Sequence, residues 1–219
     1  KYWLQEDDTF QLNVNILLEE IKKSESEFAV IVNPANPIGN LVSLEDVRRI
    51  LDSGVTLIVD EAFMTFAGYV NSAEQFVKEY KNLIVVTSCT KSIGIAGLRL
   101  GYLLSSNEEI KWKVRDALPI WNVNSATEFM LESLPNYKKE YRESIDKSIA
   151  VTKWFYERLG EVSYLTTFPT HANAVFCKVN GSARRLAEIL FDRHNFMVKE
   201  GLNQSDFKTD SYIRIGVRN

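Results

Sequence analysis

FAVIVNPANPIGNLVSLEDVRRILDSGVTLIVDEAF, residues 28–63, outlines the fold. FAVIV at 28–32 is short and wholly apolar, bounded by charge and by an Asn-Pro pair, so it reads as a buried strand. NPANPIGN at 33–40 holds two prolines and a glycine, which makes a shaped loop. Ser43 stands three residues before Asp46, the spacing of a capping box. Leu44, Val47, Ile50 and Leu51 then line one side of a helix over 44–52. VTLIV at 55–59 is a second apolar strand, ending on Asp60-Glu61. Strands apolar on both faces, with a helix between them, imply an α/β fold of three layers: a mostly parallel sheet with helices on both sides.

Outward from this unit, the sequence predicts strands at 83–87 (LIVVT) and 100–104 (LGYLL), separated by the polar turn SCTK and a glycine-rich stretch. Helices are predicted at 14–23, 107–118, 124–134 and 137–159, the last long enough to link two lobes. Beyond residue 160 come VSYLT at 162–166, NAVFCKV at 173–179, a helix over 182–193, FMV at 196–198 and YIRIGV at 212–217. They suggest a small α+β C-terminal lobe. The division expected is a large domain over 1–145 and a small domain with its linking helix over 146–219.

The 219 residues are 45% hydrophobic, enough for a real core. A charged fraction of 25% and a net charge of -3 suggest neither disorder nor a general affinity for nucleic acid. No apolar run approaches the roughly 20 residues that span a bilayer. Cys89 and Cys177 make no disulfide framework, which fits a cytoplasmic setting. His171 and His194 lack neighbouring ligands at metal spacing, so no metal site is expected. The glycines at 94, 97 and 101 do not form a dinucleotide fingerprint. Trp112, Trp154 and Tyr156 read as packing residues on helices, and Asn124 as a helix cap.

In open α/β sheets, ligands sit beyond the carboxyl ends of the strands. Unusual polar groups fall at such ends here: Asn33 to Asn36, then Asp60, then Ser88, Thr90 and Lys91, with Arg99 leading into the fourth strand. Singly, each is commonplace, since a lysine in a polar turn usually faces solvent. Together they make a polar cluster around one lysine.

NPANPIG at 33–39, DEAF at 60–63, SCTKSIGIAGLRLGY at 88–102 and IRIGVR at 213–218 resemble, in order and spacing, the motifs of fold-type-I pyridoxal-phosphate (PLP) enzymes. The likeness is to the class I/II aminotransferase superfamily, and within it to the branch of histidinol-phosphate aminotransferase and threonine-phosphate decarboxylase. It implies that Lys91 carries PLP as a Schiff base and later shuttles a proton. Asp60 would pair with the pyridine nitrogen and Asn36 with the ring oxygen. Ser88 and Arg99 would bind the phosphate, with Thr90 assisting. Arg214 would take the substrate carboxylate, and Arg218 would touch a substrate phosphate or end the lobe.

Two departures stand out. Phe63 occupies the position of a family tyrosine and cannot donate a hydrogen bond to the ring oxygen. Phenylalanine there, like PIWNVNS at 119–125, resembles the decarboxylase side of the branch. The family's enzymes also extend further on the N-terminal side, so the chain reads as a fragment without the family's N-terminal third. Amino-group transfer between an amino acid and a keto acid is the first functional expectation. Decarboxylation of a phosphorylated amino acid is the alternative, and a non-catalytic protein retaining the fold is a third. The resemblance also implies a homodimer.

Overall fold

Ser43 caps the first crossover helix as its spacing requires: its hydroxyl accepts from Asp46 N at 3.1 Å and donates to Asp46 Oδ2 at 2.8 Å. In the computed structural model, residues 2–201 and 210–217 are described. The order of elements is α1 (Val14–Lys23), β1 (Phe28–Val32), α2 (Leu44–Asp52), β2 (Thr56–Asp60), β3 (Leu83–Ser88), α3 (Cys89–Ser92) and β4 (Gly101–Leu104). Then follow α4 (Glu108–Ala117), α5 (Ser125–Ser133), α6 (Lys138–Gly160), β5 (Leu165–Phe168), β6 (Ala174–Val179), α7 (Ala183–His194), β7 (Lys199–Glu200) and β8 (Tyr212–Gly216). Asn124 caps α5, accepting from Thr127 N at 2.9 Å. Among the described residues, no helix is long and apolar enough to cross a membrane.

The first sheet runs β1-β2-β3-β4. Its first three strands are parallel, and β4 lies antiparallel to β3. The second sheet, β5-β6-β8-β7, is antiparallel throughout. The fold is therefore a larger, mainly parallel sheet followed by a smaller antiparallel C-terminal lobe, as the hydrophobic patterning implied.

One face of the first sheet makes the main core. Ala29, Ile31, Leu57, Val59, Leu83 and Val85 pack there against Val14 of α1 and Val47, Ile50 and Leu51 of α2. Each fully buried aliphatic side chain contributes about 1.5–3 kcal/mol to folding. The strand register puts Val30, Ile58 and Ile84 in one row on the other face, and Val32, Asp60 and Val86 in the next. That face is open along β1, where Phe28 is 58% and Val30 64% exposed, and closed over part of β3, where Ile84 is buried.

Other differences are local. FMV at 196–198 is not a strand. Asn195 ends α7 in a left-handed turn, Phe196 and Met197 stay exposed, and pairing to β8 begins at Lys199. The strand expected from residue 162 starts at Leu165, after a turn in which Leu165 N bonds Val162 O. Trp112 and Trp154 are exposed rather than packed.

The two lobes meet at the Asn-Pro loop. Ile38 joins Phe10, Phe168, Phe176 and Tyr212 in a buried cluster. Gly39, at φ +95°, lies so close to Thr170 that a Cβ would fall 2.1 Å from its hydroxyl oxygen. Its carbonyl accepts from His171 N at 2.8 Å.

Candidate active site

Three loops carry the polar cluster, all at the carboxyl ends of the parallel strands. After β1, the chain turns at Asn33, which is fully buried. Its Oδ1 accepts from Val42 N at 2.9 Å and its backbone N–H donates to Asp60 O at 2.8 Å, so this loop is pinned to the tip of β2. That leaves Asn36 exposed on the loop's outer side. Its Oδ1 accepts from Arg214 Nη1 at 2.7 Å, across the junction between lobes.

After β2, Asp60 closes the row of open-face residues. One carboxylate oxygen, Oδ1, accepts from Ala62 N at 2.9 Å. Phe63 is buried in a cluster with Phe66, Ile145 and Ala172, which draws on both lobes. Lys91 Nζ lies over that ring, 3.8 Å from its centroid. Loss of hydration pulls the Lys91 pKa below the usual lysine value. The nearby Asp60 carboxylate opposes this, and the positive charge of Arg214 adds to it. Asp60 and Arg214 therefore both act electrostatically on Lys91, although the three lie far apart in the chain.

After β3, Ser88 and Thr90 form a hydroxyl pair at 3.0 Å. One hydroxyl donates to the other, and the second hydroxyl proton is free to face a ligand. The pairing of Ser88 with Gly101, and of Cys89 N with Leu100 O at 3.0 Å, sets Arg99 beside this turn. Gly101 allows the approach, because a Cβ there would come within 2.6 Å of Thr87 O. Arg99 is exposed and left-handed at φ 53°, with only a long bond of 3.4 Å to Ala96 O.

The structure thus brings Asn36, Asp60, Phe63, Lys91 and Arg214 together, with Ser88, Thr90 and Arg99 on the adjoining turn. Arg218 lies outside the described residues. Two residues of the surroundings carried no assignment in the sequence. Glu61 is wholly buried beneath Asp60, and Ala172 brings the small lobe against Phe63. Glu61 had a signal, a second acid at the end of an apolar strand. Ala172 had none.

The donor set suits a phosphorylated aromatic aldehyde. It offers an amine with lowered pKa, a carboxylate with one oxygen free, an amide whose N–H donors remain available, and a hydroxyl pair beside a guanidinium.

Comparison with known proteins gives this geometry a lineage. Over 215 residues, 96% of the chain is 32% identical to the histidinol-phosphate aminotransferase of Clostridium novyi, of which it covers 57%. It is 27% identical to the L-serine phosphate decarboxylase of Campylobacter jejuni, over 99% of the chain and 53% of that protein. The chain spans about half the length of these curated relatives. Among solved structures, a decarboxylase from Sulfurospirillum multivorans superimposes on all of the chain with a TM-score of 0.89 and 26% identity, covering 64% of that structure. The profile described as "Aminotransferase class I and II" matches residues 1–218. With the profile running almost from end to end, and the lysine, aspartate and arginine converging as described, the chain belongs to the class I and II aminotransferase family.

Proposed function

We propose that this chain forms part of a PLP-dependent enzyme acting on a phosphorylated amino acid, and that its reaction is α-decarboxylation. The observation that carries the reading is the likeness of the whole chain to the Sulfurospirillum multivorans decarboxylase. The 27% identity to a serine phosphate decarboxylase and the ring of Phe63 against Lys91 support it.

When bound, PLP supplies an electron sink for the pair left on a substrate carbon. The residues do the rest. Lys91 Nζ would anchor the cofactor covalently and would hold the proton destined for the substrate carbon; its lowered pKa suits both tasks. Asp60, with Oδ2 free of the Ala62 bond, would keep the pyridine nitrogen protonated. Asn36 would donate from Nδ2 to the ring oxygen, since its Oδ1 is engaged by Arg214. Ser88, Thr90 and Arg99 would hold the cofactor phosphate. Arg214, tied by one nitrogen to Asn36, keeps the rest of its guanidinium for the substrate carboxylate. Arg218 is assigned to a substrate phosphate.

Which α-bond breaks depends on which one stands perpendicular to the ring, and hence on how the carboxylate is turned. Transamination is the second reading, favoured by the 32% identity to a histidinol-phosphate aminotransferase. We also propose a homodimer, supported by Ile120, Trp121 and Phe129, which are exposed on consecutive segments of the surface.

The test uses the full-length protein with PLP and a panel of O-phosphoserine, O-phosphothreonine and histidinol phosphate. Carbon dioxide without keto acid supports decarboxylation. Stoichiometric formation of a keto acid, or of a ketone from histidinol phosphate, with amination of an added keto acid replaces it with transamination. No turnover by protein that has bound PLP overturns both.

A further inference from the structure

We infer that Glu61 is a positioning residue of this site: it locks the turn that presents Asp60 and Phe63, and so sets how tightly the cofactor is held. The inference rests on the cofactor reading above.

Glu61 is fully buried, and every polar group it has is engaged. Its backbone N–H donates to Val86 O at 2.7 Å, which ties the turn to β3. Its carbonyl accepts from Met64 N at 3.0 Å, which closes the turn around Phe63. Its side chain reaches the other way, where Oε2 accepts from Ser72 Oγ at 2.7 Å and Oε1 from Ala73 N at 2.6 Å. Asp60 and Phe63 thus project from a turn whose middle is fastened both to the sheet and to residues 72–73. Asn33 adds a further tie to the same segment, donating to Asn71 O at 3.4 Å.

A packing role alone does not call for a carboxylate. Among the described residues no cation pairs with Glu61. The charged group bearing on it is Glu74, which repels it, and Glu74 is itself the acceptor for Tyr102 Oη at 2.8 Å. Asp60 is its neighbour in sequence. Burial pushes the Glu61 carboxyl up to about 7. Both protonation states keep the tie to Ser72, because that hydroxyl can donate to a carboxylate or accept from a carboxylic acid. The ionised form makes charge-assisted bonds, but burial outweighs them, so ionisation loosens the turn on balance. The turn is therefore fastened most firmly below about pH 7, and PLP binding acquires a pH-dependent part that belongs to Glu61 rather than to Lys91.

The experiment measures PLP binding to the full-length apo-protein at pH 6 and pH 8, for wild type and Glu61→Gln. Borohydride trapping and mass analysis of the Lys91 peptide provide a second readout. The neutral amide mimics the protonated acid, so the variant should bind PLP about as well as wild type at pH 6 and about fivefold more tightly than wild type at pH 8. A ratio equal at both pH values and within about twofold of unity overturns the inference while leaving the cofactor reading intact. Wild type that binds no PLP overturns both. If Glu61→Gln does not fold, Ser72→Ala, which removes a hydroxyl from the same tie, is scored by the same criterion.

Discussion

On one face of the first sheet, Leu57, Val59, Leu83 and Val85 are wholly buried under α1 and α2. On the other, one residue away along the same strands, Phe28, Val30 and Val86 meet solvent, and Asp60 and Ser88 end the rows. Residues of opposite character alternate because successive side chains in a strand point to opposite faces. The comparison teaches that stability and chemistry are divided by parity. One face carries most of the apolar burial, although Ile84 on the other is buried too, and the other face ends in the polar groups Asp60 and Ser88. The largest effect expected on the chemical side is from Lys91→Ala, which should abolish PLP attachment and lower turnover about a thousandfold or more, as read by the visible cofactor band and steady-state rates. A variant that keeps the band would move the covalent anchor elsewhere.

The division itself is open to direct test by chemical denaturation of the full-length protein. Leu57→Ala on the closed face should cost about 2–5 kcal/mol, by lost burial and a residual cavity. Val30→Thr on the open face should cost no more than about 0.5 kcal/mol. A cost above about 1 kcal/mol at Val30 would show that the longer protein covers this face, and the two faces would then differ in chemistry but not in burial.

Glu61 stands where the division fails, a carboxylate set among core residues. Its folded carboxyl keeps a proton up to about pH 7, whereas the unfolded one releases it near 4.5. Between these values the folded state holds more protons, so this group makes stability fall as pH rises. The shift corresponds to a loss on the order of 3 kcal/mol across that window. Relative to Glu61→Gln, wild type should lose about that much between pH 4.5 and pH 7 in urea titrations. A constant difference between the two proteins over this range would remove Glu61 as the titrating group.

The sequence made the apolar frame legible because short runs such as FAVIV and LIVVT have one reading, and because Ser43 and Asn124 cap their helices by simple spacing. Lys91, Asp60 and Asn36 could be listed as polar residues at strand ends. The link between Asn36 and Arg214 could not be read, since it joins residues 178 positions apart through the packing of two lobes. FMV at 196–198 misled for a related reason. Local composition favours a strand there, but the edge of β8 is reached only at Lys199, after the left-handed turn at Asn195. The apolar strand β1, fit for burial on both sides, leaves one face open here, because cover is a property of neighbouring elements and not of the strand.

Phe63 gives the smallest and most specific contrast, because it belongs to both sides of the comparison. It is buried like a core residue, yet its ring face meets the Lys91 ammonium. Phe63→Tyr adds a hydroxyl and little volume, so stability should change by less than about 1.5 kcal/mol. The new donor can reach toward the ring oxygen of bound PLP, which Asn36 is proposed to serve. Hydrogen bonding to the charged form of a group favours that form. The phenolate-like ring oxygen is therefore stabilised, and the nitrogen shared by Lys91 and the cofactor loses its proton more readily. The pH midpoint of the visible band, at about 400–430 nm, should fall by on the order of one unit. An unchanged midpoint, with the variant folded and PLP bound, would mean that the hydroxyl does not reach the ring. Phe63 would then act on Lys91 only through its apolar face and the lost hydration that lowers the lysine pKa.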